Sequence, residues 1–163
     1  MTETMIGLFA AAVLSGIVPL VNAEILVISA AALVPALGVP VVAVVSTVGH
    51  MSSKALLFGL ARWAPQRLPE RARAAIERSS AAVRERGTAA GTLIFTSAAT
   101  GIPPFYGVSL AAGAVGLSLT RFVVVGGLGR FVRFAVLAWL GHTVGTEALD
   151  LIASNGVIAT LFG

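Results

Sequence analysis

The chain has 163 residues, 57% of them hydrophobic and only 11% charged, with a formal charge of +4 and no cysteine. Soluble domains carry charged residues at about 25% of the chain, so this composition excludes a water-coated globule and calls for lipid around the protein. The absent cysteines exclude disulfides and thiolate metal sites, and the length fits one domain over residues 1–163.

Glu3 stands where a secretory leader would carry basic residues, so no signal peptide is expected. Between Met5 and Gly49 the single charged residue is Glu24. That run is about twice the ~20 residues one span needs. It is interrupted at Pro19, Asn22 and Glu24, and again at Pro35, Gly38 and Pro40. The pattern predicts a helix over 4–17, a short helix over 22–35 and a full span over 39–62. This span carries Lys54 and ends on Arg62-Trp63, a pair suited to a membrane interface.

Seven of the eleven basic residues lie between Arg62 and Arg86. A basic helix over 64–87, stopped at Gly87, is expected on the cytoplasmic side by the positive-inside rule. It reads as a solvated connector, with contact to anionic headgroups as the alternative. A local basic run beside apolar segments signals topology, so no nucleic-acid partner is assigned.

No charge occurs from Gly87 to Thr120, and Gly101-Ile102-Pro103-Pro104 sits near the centre of that stretch. Adjacent prolines remove two backbone donors and clash with the preceding turn. A hairpin with arms over 89–100 and 105–116 is therefore expected. A last span over 119–142 carries Arg130 and Arg133, and an amphipathic terminal helix is expected over 145–162, with Glu147 and Asp150 near its start.

The halves resemble each other. Gly16-Ile17-Val18-Pro19 leads through small residues to Gly49-His50, as Gly101-Ile102-Pro103-Pro104 leads to Gly129-Arg130. Paired, proline-broken apolar segments point to inverted repeats around a midplane site. Bare backbone at membrane depth is tolerated only against protein or a wet cavity. The fold class read from the sequence is an all-α integral membrane protein, its transmembrane helices surrounding two proline-broken re-entrant hairpins related by an inverted repeat. The breaks are Pro19 in the first half and Gly101, Pro103 and Pro104 in the second.

Several short patterns, in order, resemble one family. They are Pro19 to Glu24 followed by Ile25-Leu26, Gly49-His50-Met51 with Lys54, Gly59 and Arg62, Ala112-Gly113 with Leu117 and Phe122, and Gly129-Arg130 with Arg133. The stretch 12–141 is similar to the DedA family, whose members share the VTT domain. The resemblance implies two facing re-entrant hairpins, residence in the bacterial cytoplasmic (inner) membrane, and movement of lipids between leaflets. Undecaprenyl phosphate is among the family's substrates, often with coupling to the proton gradient. The chain departs from better-known members in two places. Ala10-Ala11-Ala12 stands where they carry an acid, and Ala99, Thr100 and Phe105 where they carry arginines. An Ile-Pro-Pro second hairpin suggests a smaller subgroup.

Five residues are candidates for substrate binding or coupling: Glu24, Lys54, Arg130, Arg133 and His50. Glu24 is either a proton carrier or an N-terminal cap of the short helix. Lys54 can pair with Glu24, meet a headgroup, or snorkel to the interface. Arg130 and Arg133, three apart, share a helix face suited to phosphate or to an interior ion pair. His50 is a hydrogen-bond partner in packing or a proton relay. Arg121 and His142 read as interfacial, and Asn22 and Tyr106 as groups satisfying carbonyls at the breaks. No nucleophile elbow, phosphate loop or metal cluster is present, so the chain reads as a non-enzyme without cofactor or metal. The partner is membrane lipid, protons are a candidate coupling ion, and a homo-oligomer is compatible with the reading. The function expected is transport of an anionic lipid such as a polyprenyl phosphate or phospholipid. The alternatives are a small-solute or ion transporter or channel, and a non-transporting scaffold.

Overall fold

Proline, glycine and asparagine set where the helices stop. In the computed structural model, which describes residues 2–18, 21–85 and 89–154, α1 spans Thr2–Ile17 and α2 Ala23–Leu33. Asn22 starts α2: its side-chain oxygen accepts from the backbone N–H groups of Glu24 and Ile25 at 2.8 and 3.3 Å. Pro19 lies outside the described residues. After a 3-10 turn at Pro35–Leu37, α3 runs over Val39–Trp63, with Pro40 in its first turn, where a missing N–H costs nothing.

The basic helix α4 covers Glu70–Glu85, shorter than the expected 64–87. Pro65 opens a 3-10 turn through Arg67, and Pro69 precedes the first helical residue, so the helix starts only there. Gly87, its expected stop, lies outside the described residues. Helix α5 (Ala90–Thr100) ends at Gly101, whose φ of 82° closes the last turn in the left-handed region that glycine adopts without strain. Helix α6 (Phe105–Ala114) follows Pro104 directly.

One expectation is corrected. Helix α7 is continuous over Leu119–Ser154, with no separate last span ending at 142 and no new helix beginning at 145. Gly141 and Gly145, which resemble a stop signal, instead lie against the backbones of Ile28 and Ala32 of α2. Small residues four apart let two helices approach closely, so α7 gains packing by continuing. His142 therefore sits within a helix rather than at a span end. Of the terminal segment expected over 145–162, residues from 155 on lie outside the described part.

Helices α3 and α7 pack together at the centre. Helix α1 packs on α3 and α2 on α7; α5 packs on α7 and α6 on α3. Exchanging α1, α2 and α3 for α5, α6 and α7 leaves this pattern of neighbours unchanged. The close approaches match as well. A Cβ on Gly49 of α3 would lie 2.7 Å from the Phe9 oxygen and 2.9 Å from the Ala12 Cβ of α1. On Gly129 of α7 it would lie 2.6 Å from the Phe95 oxygen and 2.9 Å from the Ala98 Cβ of α5.

Two apolar clusters flank the centre. Leu8, Val27, Val42, Phe134 and Ala138 join the first helix pair to α3 and α7; Met51, Phe58, Ile94, Phe105 and Phe122 join the second. The pairs differ in one respect. Helix α2 buries only Val27 and Ala31, and its Leu33 is 80% exposed. Helix α6 buries Phe105 and every residue from Gly107 to Gly113, because α4 lies across it.

Two helices, α3 and α7, are long and apolar enough to cross a membrane. At 1.5 Å per residue the 36 residues of α7 span about 54 Å, more than a ~30 Å hydrocarbon core. Its outward apolar side chains, such as Val136, Trp139 and Val144, are exposed and suited to lipid.

Candidate functional site

The last turn of a helix leaves carbonyl oxygens without partners inside the helix. Here two cations supply them. Lys54 on α3 donates from Nζ to the Gly16 oxygen at 2.7 Å, one residue before the end of α1. Arg133 on α7 donates from Nη1 to the Ala99 oxygen at 3.0 Å, one residue before the end of α5. Positive charge at a helix C-terminus also opposes the negative end of the helix dipole. Each long central helix thus serves the broken end of the short helix beside it.

The two cations are otherwise treated differently. Arg133 also donates to Glu24 Oε1, through Nε at 3.1 Å and through Nη2. This ties α7 to the first turn of α2. Lys54 is only 4% exposed and its ammonium sits 5.2 Å from the Tyr106 ring centroid, with no carboxylate partner among the described residues.

Arg130, 6% exposed, lies one turn before Arg133 on α7. Its guanidinium is held between aromatic faces, 4.9 Å from the Phe105 ring and 5.4 Å from that of Phe134. Among the described residues it forms no ion pair, and its buried Nε has no hydrogen-bond partner. His50, 5% exposed, meets Ser15 Oγ at 3.3 Å through Nδ1 and presents its ring edge-on to Phe134. Its Nε2 and the hydroxyls of Ser46 and Thr47, all buried, likewise lack protein partners.

The centre therefore contains three cations, Lys54, Arg130 and Arg133, and one carboxylate, Glu24. A buried charge without a partner is costly. Buried polar atoms ordinarily find partners. A net positive, partly unsatisfied cluster thus suits an anion with several acceptor oxygens.

Several sequence expectations are settled by these contacts. Glu24 neither caps α2 nor meets Lys54; Asn22 is the cap, and the carboxylate goes to Arg133. Arg130 is not the partner of Glu24. Asn22 serves N–H groups rather than carbonyls, and Tyr106 lies under Lys54. Arg121 lies across Gly91 near the start of α5.

Ser97 was not singled out in the sequence and Thr100 stood only as a departure from the family pattern, yet both serve the second break: Ser97 Oγ donates to the Pro103 oxygen at 2.6 Å, and Thr100 Oγ1 accepts from the Ile102 N–H at 3.1 Å. Phe134 was detectable, being four residues beyond Arg130 on one helix face. Phe105 was not, because only the tertiary fold brings α6 beside α7.

A family model described as the VTT domain matches residues 18–143. The chain belongs to the DedA family of VTT-domain membrane proteins. None of the curated proteins and none of the solved structures matches it. The matched stretch opens at the first break and contains Glu24, His50, Lys54, Arg130 and Arg133, while α1 lies before it and the last turns of α7 after it. DedA proteins are generally regarded as non-enzymatic, and among the described residues no cluster of three metal-binding side chains occurs.

Proposed function

We propose that this DedA-family protein moves an anionic lipid between the leaflets of the bacterial inner membrane. The observation that carries the reading is the buried centre in which, among the described residues, Lys54 and Arg130 have no carboxylate partner and Arg133 pairs with Glu24. A phosphate or phosphodiester headgroup complements that charge, and apolar outer faces on α2 and α7 leave the lipid tail in the bilayer. A polyprenyl phosphate and an anionic phospholipid both fit this description. The transporter or flippase role often proposed for the family agrees with it.

In this reading the helix pairs α1–α2 and α5–α6 are re-entrant hairpins related by an inverted repeat. Its support is the shared pattern of neighbours and the matching contacts of Gly49 and Gly129. Alternating access then amounts to rocking of one hairpin against the α3–α7 pair, exposing the centre to each leaflet in turn. The Arg133–Glu24 pair, joining α7 to α2, is the contact that would open and close. Protons are the coupling ion this reading assigns, with Glu24 and His50 as carriers, and α4 faces the cytoplasm.

The test is lipid movement in proteoliposomes holding acyl-labelled phosphatidylglycerol, read by chemical quenching of the outer leaflet. Glu24→Gln and Arg130→Ala each abolish movement while the protein remains folded; Arg130→Met, which fills the space between the two rings, does the same. Full rates in all three variants refute the assigned roles. Flux of water-soluble anions without lipid movement would indicate a solute pathway instead.

A further inference from the structure

Helix α4 has a use that the transport reading does not assign. Its inner face is fixed on α6, with contacts to α3 and α5: Ala72, and Leu68 just before the helix, pack with Leu57 and Ala61 of α3 and Leu110 of α6, Val83 packs with Ala111 of α6 and Leu93 of α5, and Ser79 lies against Gly107 of α6. That packing determines how the remaining faces point. Arg71 and Arg78, seven residues apart, stack two turns along one edge of the helix, and Arg67 lies in the 3-10 turn just before it. All three are exposed, and none is ion-paired to a described carboxylate. The opposite flank is mixed, with Arg73 beside Glu70 and Glu77.

The stripe also lies at a recognisable level. Trp63, 68% exposed at the end of α3, stands under the Arg62 guanidinium at 5.7 Å, and Arg62 donates to the Leu117 oxygen at 2.7 Å in the turn leading into α7. An exposed tryptophan and arginine where an apolar span ends mark the headgroup region. Arg67 follows within four residues. Arginines on the edge of a helix that lies at this boundary reach headgroups with their stems along its apolar side.

We infer that the edge formed by Arg67, Arg71 and Arg78 is a docking surface for anionic lipid headgroups, which seats α4 and the α6 arm beneath it on the bilayer surface. The occupant follows from charge complementarity: Arg71 and Arg78, with Arg67 just before the helix, outnumber Glu85, which follows them at the same seven-residue spacing, so this edge is net cationic and suits a plane of phosphates. The mixed flank with Glu70 and Glu77 offers no such match. This surface lies outside the buried centre and does not depend on what that centre transports.

The experiment uses the full chain in nanodiscs of phosphatidylcholine with 30% phosphatidylglycerol. In a Trp139→Phe background Trp63 is the sole tryptophan, and energy transfer from it to acyl-labelled lipids reads which lipid gathers beside α4. Each basic residue near a surface favours anionic lipid roughly five-fold. Labelled phosphatidylglycerol should therefore be enriched over labelled phosphatidylcholine by about five-fold or more. The enrichment falls to near unity in Arg67→Gln/Arg71→Gln/Arg78→Gln and in 0.5 M salt, and persists in Arg73→Gln/Arg84→Gln. Equal transfer from both lipids in the unsubstituted stripe overturns the inference. So does an equal loss in the control pair, which would reduce the effect to net charge. Loss of enrichment on adding millimolar inorganic phosphate also overturns it, because the edge would then be a site for a free anion.

Discussion

Replacing Lys54 by methionine separates the charge at the centre from the stability of the fold. The stem is nearly isosteric, so packing is retained and only the ammonium is lost. On the proposed reading, that ammonium costs about 3 kcal/mol to hold at membrane depth. Against this, its charged hydrogen bond to the Gly16 oxygen contributes about 2 kcal/mol, and its contact with the Tyr106 ring about 1 kcal/mol. These terms nearly cancel. Lys54→Met should therefore change stability by less than about 1 kcal/mol, a shift of no more than ~4 °C in Tm for a chain of this size. Transport should nevertheless be lost, because Lys54 and Arg130 are the two cations of the centre that meet no carboxylate among the described residues. Thermal unfolding in mild detergent, followed by tryptophan fluorescence, reads the first quantity; the proteoliposome assay reads the second. A drop in Tm beyond ~10 °C would show that Lys54 is chiefly a structural cap of α1. Full transport in the variant would instead remove Lys54 from the site.

Three further outcomes follow from particular contacts. Gly49→Ala and Gly129→Ala place a Cβ within 2.7 and 2.6 Å of the Phe9 and Phe95 oxygens, so each should destabilise by about 1–3 kcal/mol and by similar amounts; the Tm values of the two variants test whether the half-chains pack alike. Asn22→Ala removes two hydrogen bonds at the start of α2 and should cost ~1 kcal/mol, with loss of amide-exchange protection confined to the first turn of that helix. A double-mutant cycle on Glu24→Gln and Arg133→Gln should return a coupling of only about 1 kcal/mol in stability, since the pair is 20% and 40% exposed, and a larger coupling in transport rate if this contact opens during the cycle.

Some of the molecule was legible in its residues because the relevant physics is local. A run with one charge between Met5 and Gly49 has to meet lipid. Adjacent prolines at 103 and 104 must end a helix, whereas the cap of α2 was misassigned: Asn22, read as a partner for carbonyls, takes that role directly before Ala23. Composition thus established membrane residence, and the breaks established the short helices α1, α2, α5 and α6 to within a few residues. The same local logic erred at Gly141 and Gly145. A glycine at the end of an apolar run and a glycine inside a tight helix contact look alike until the partner helix is known.

What the tertiary structure decided is the pairing of charge. From the residues alone Glu24 could face Lys54, Arg130 or Arg133, because a partner 109 positions away leaves no periodic signal. Only the packing of α2 along α7 assigns it to Arg133. The same packing leaves Lys54 with a carbonyl and Arg130 between two phenylalanine rings. The sequence by itself determined that polar groups must meet at two breaks inside an apolar protein, since bare backbone at that depth needs partners. Which cations would serve the breaks, and which would remain for an anion, depended on long-range helix contacts that no local pattern records.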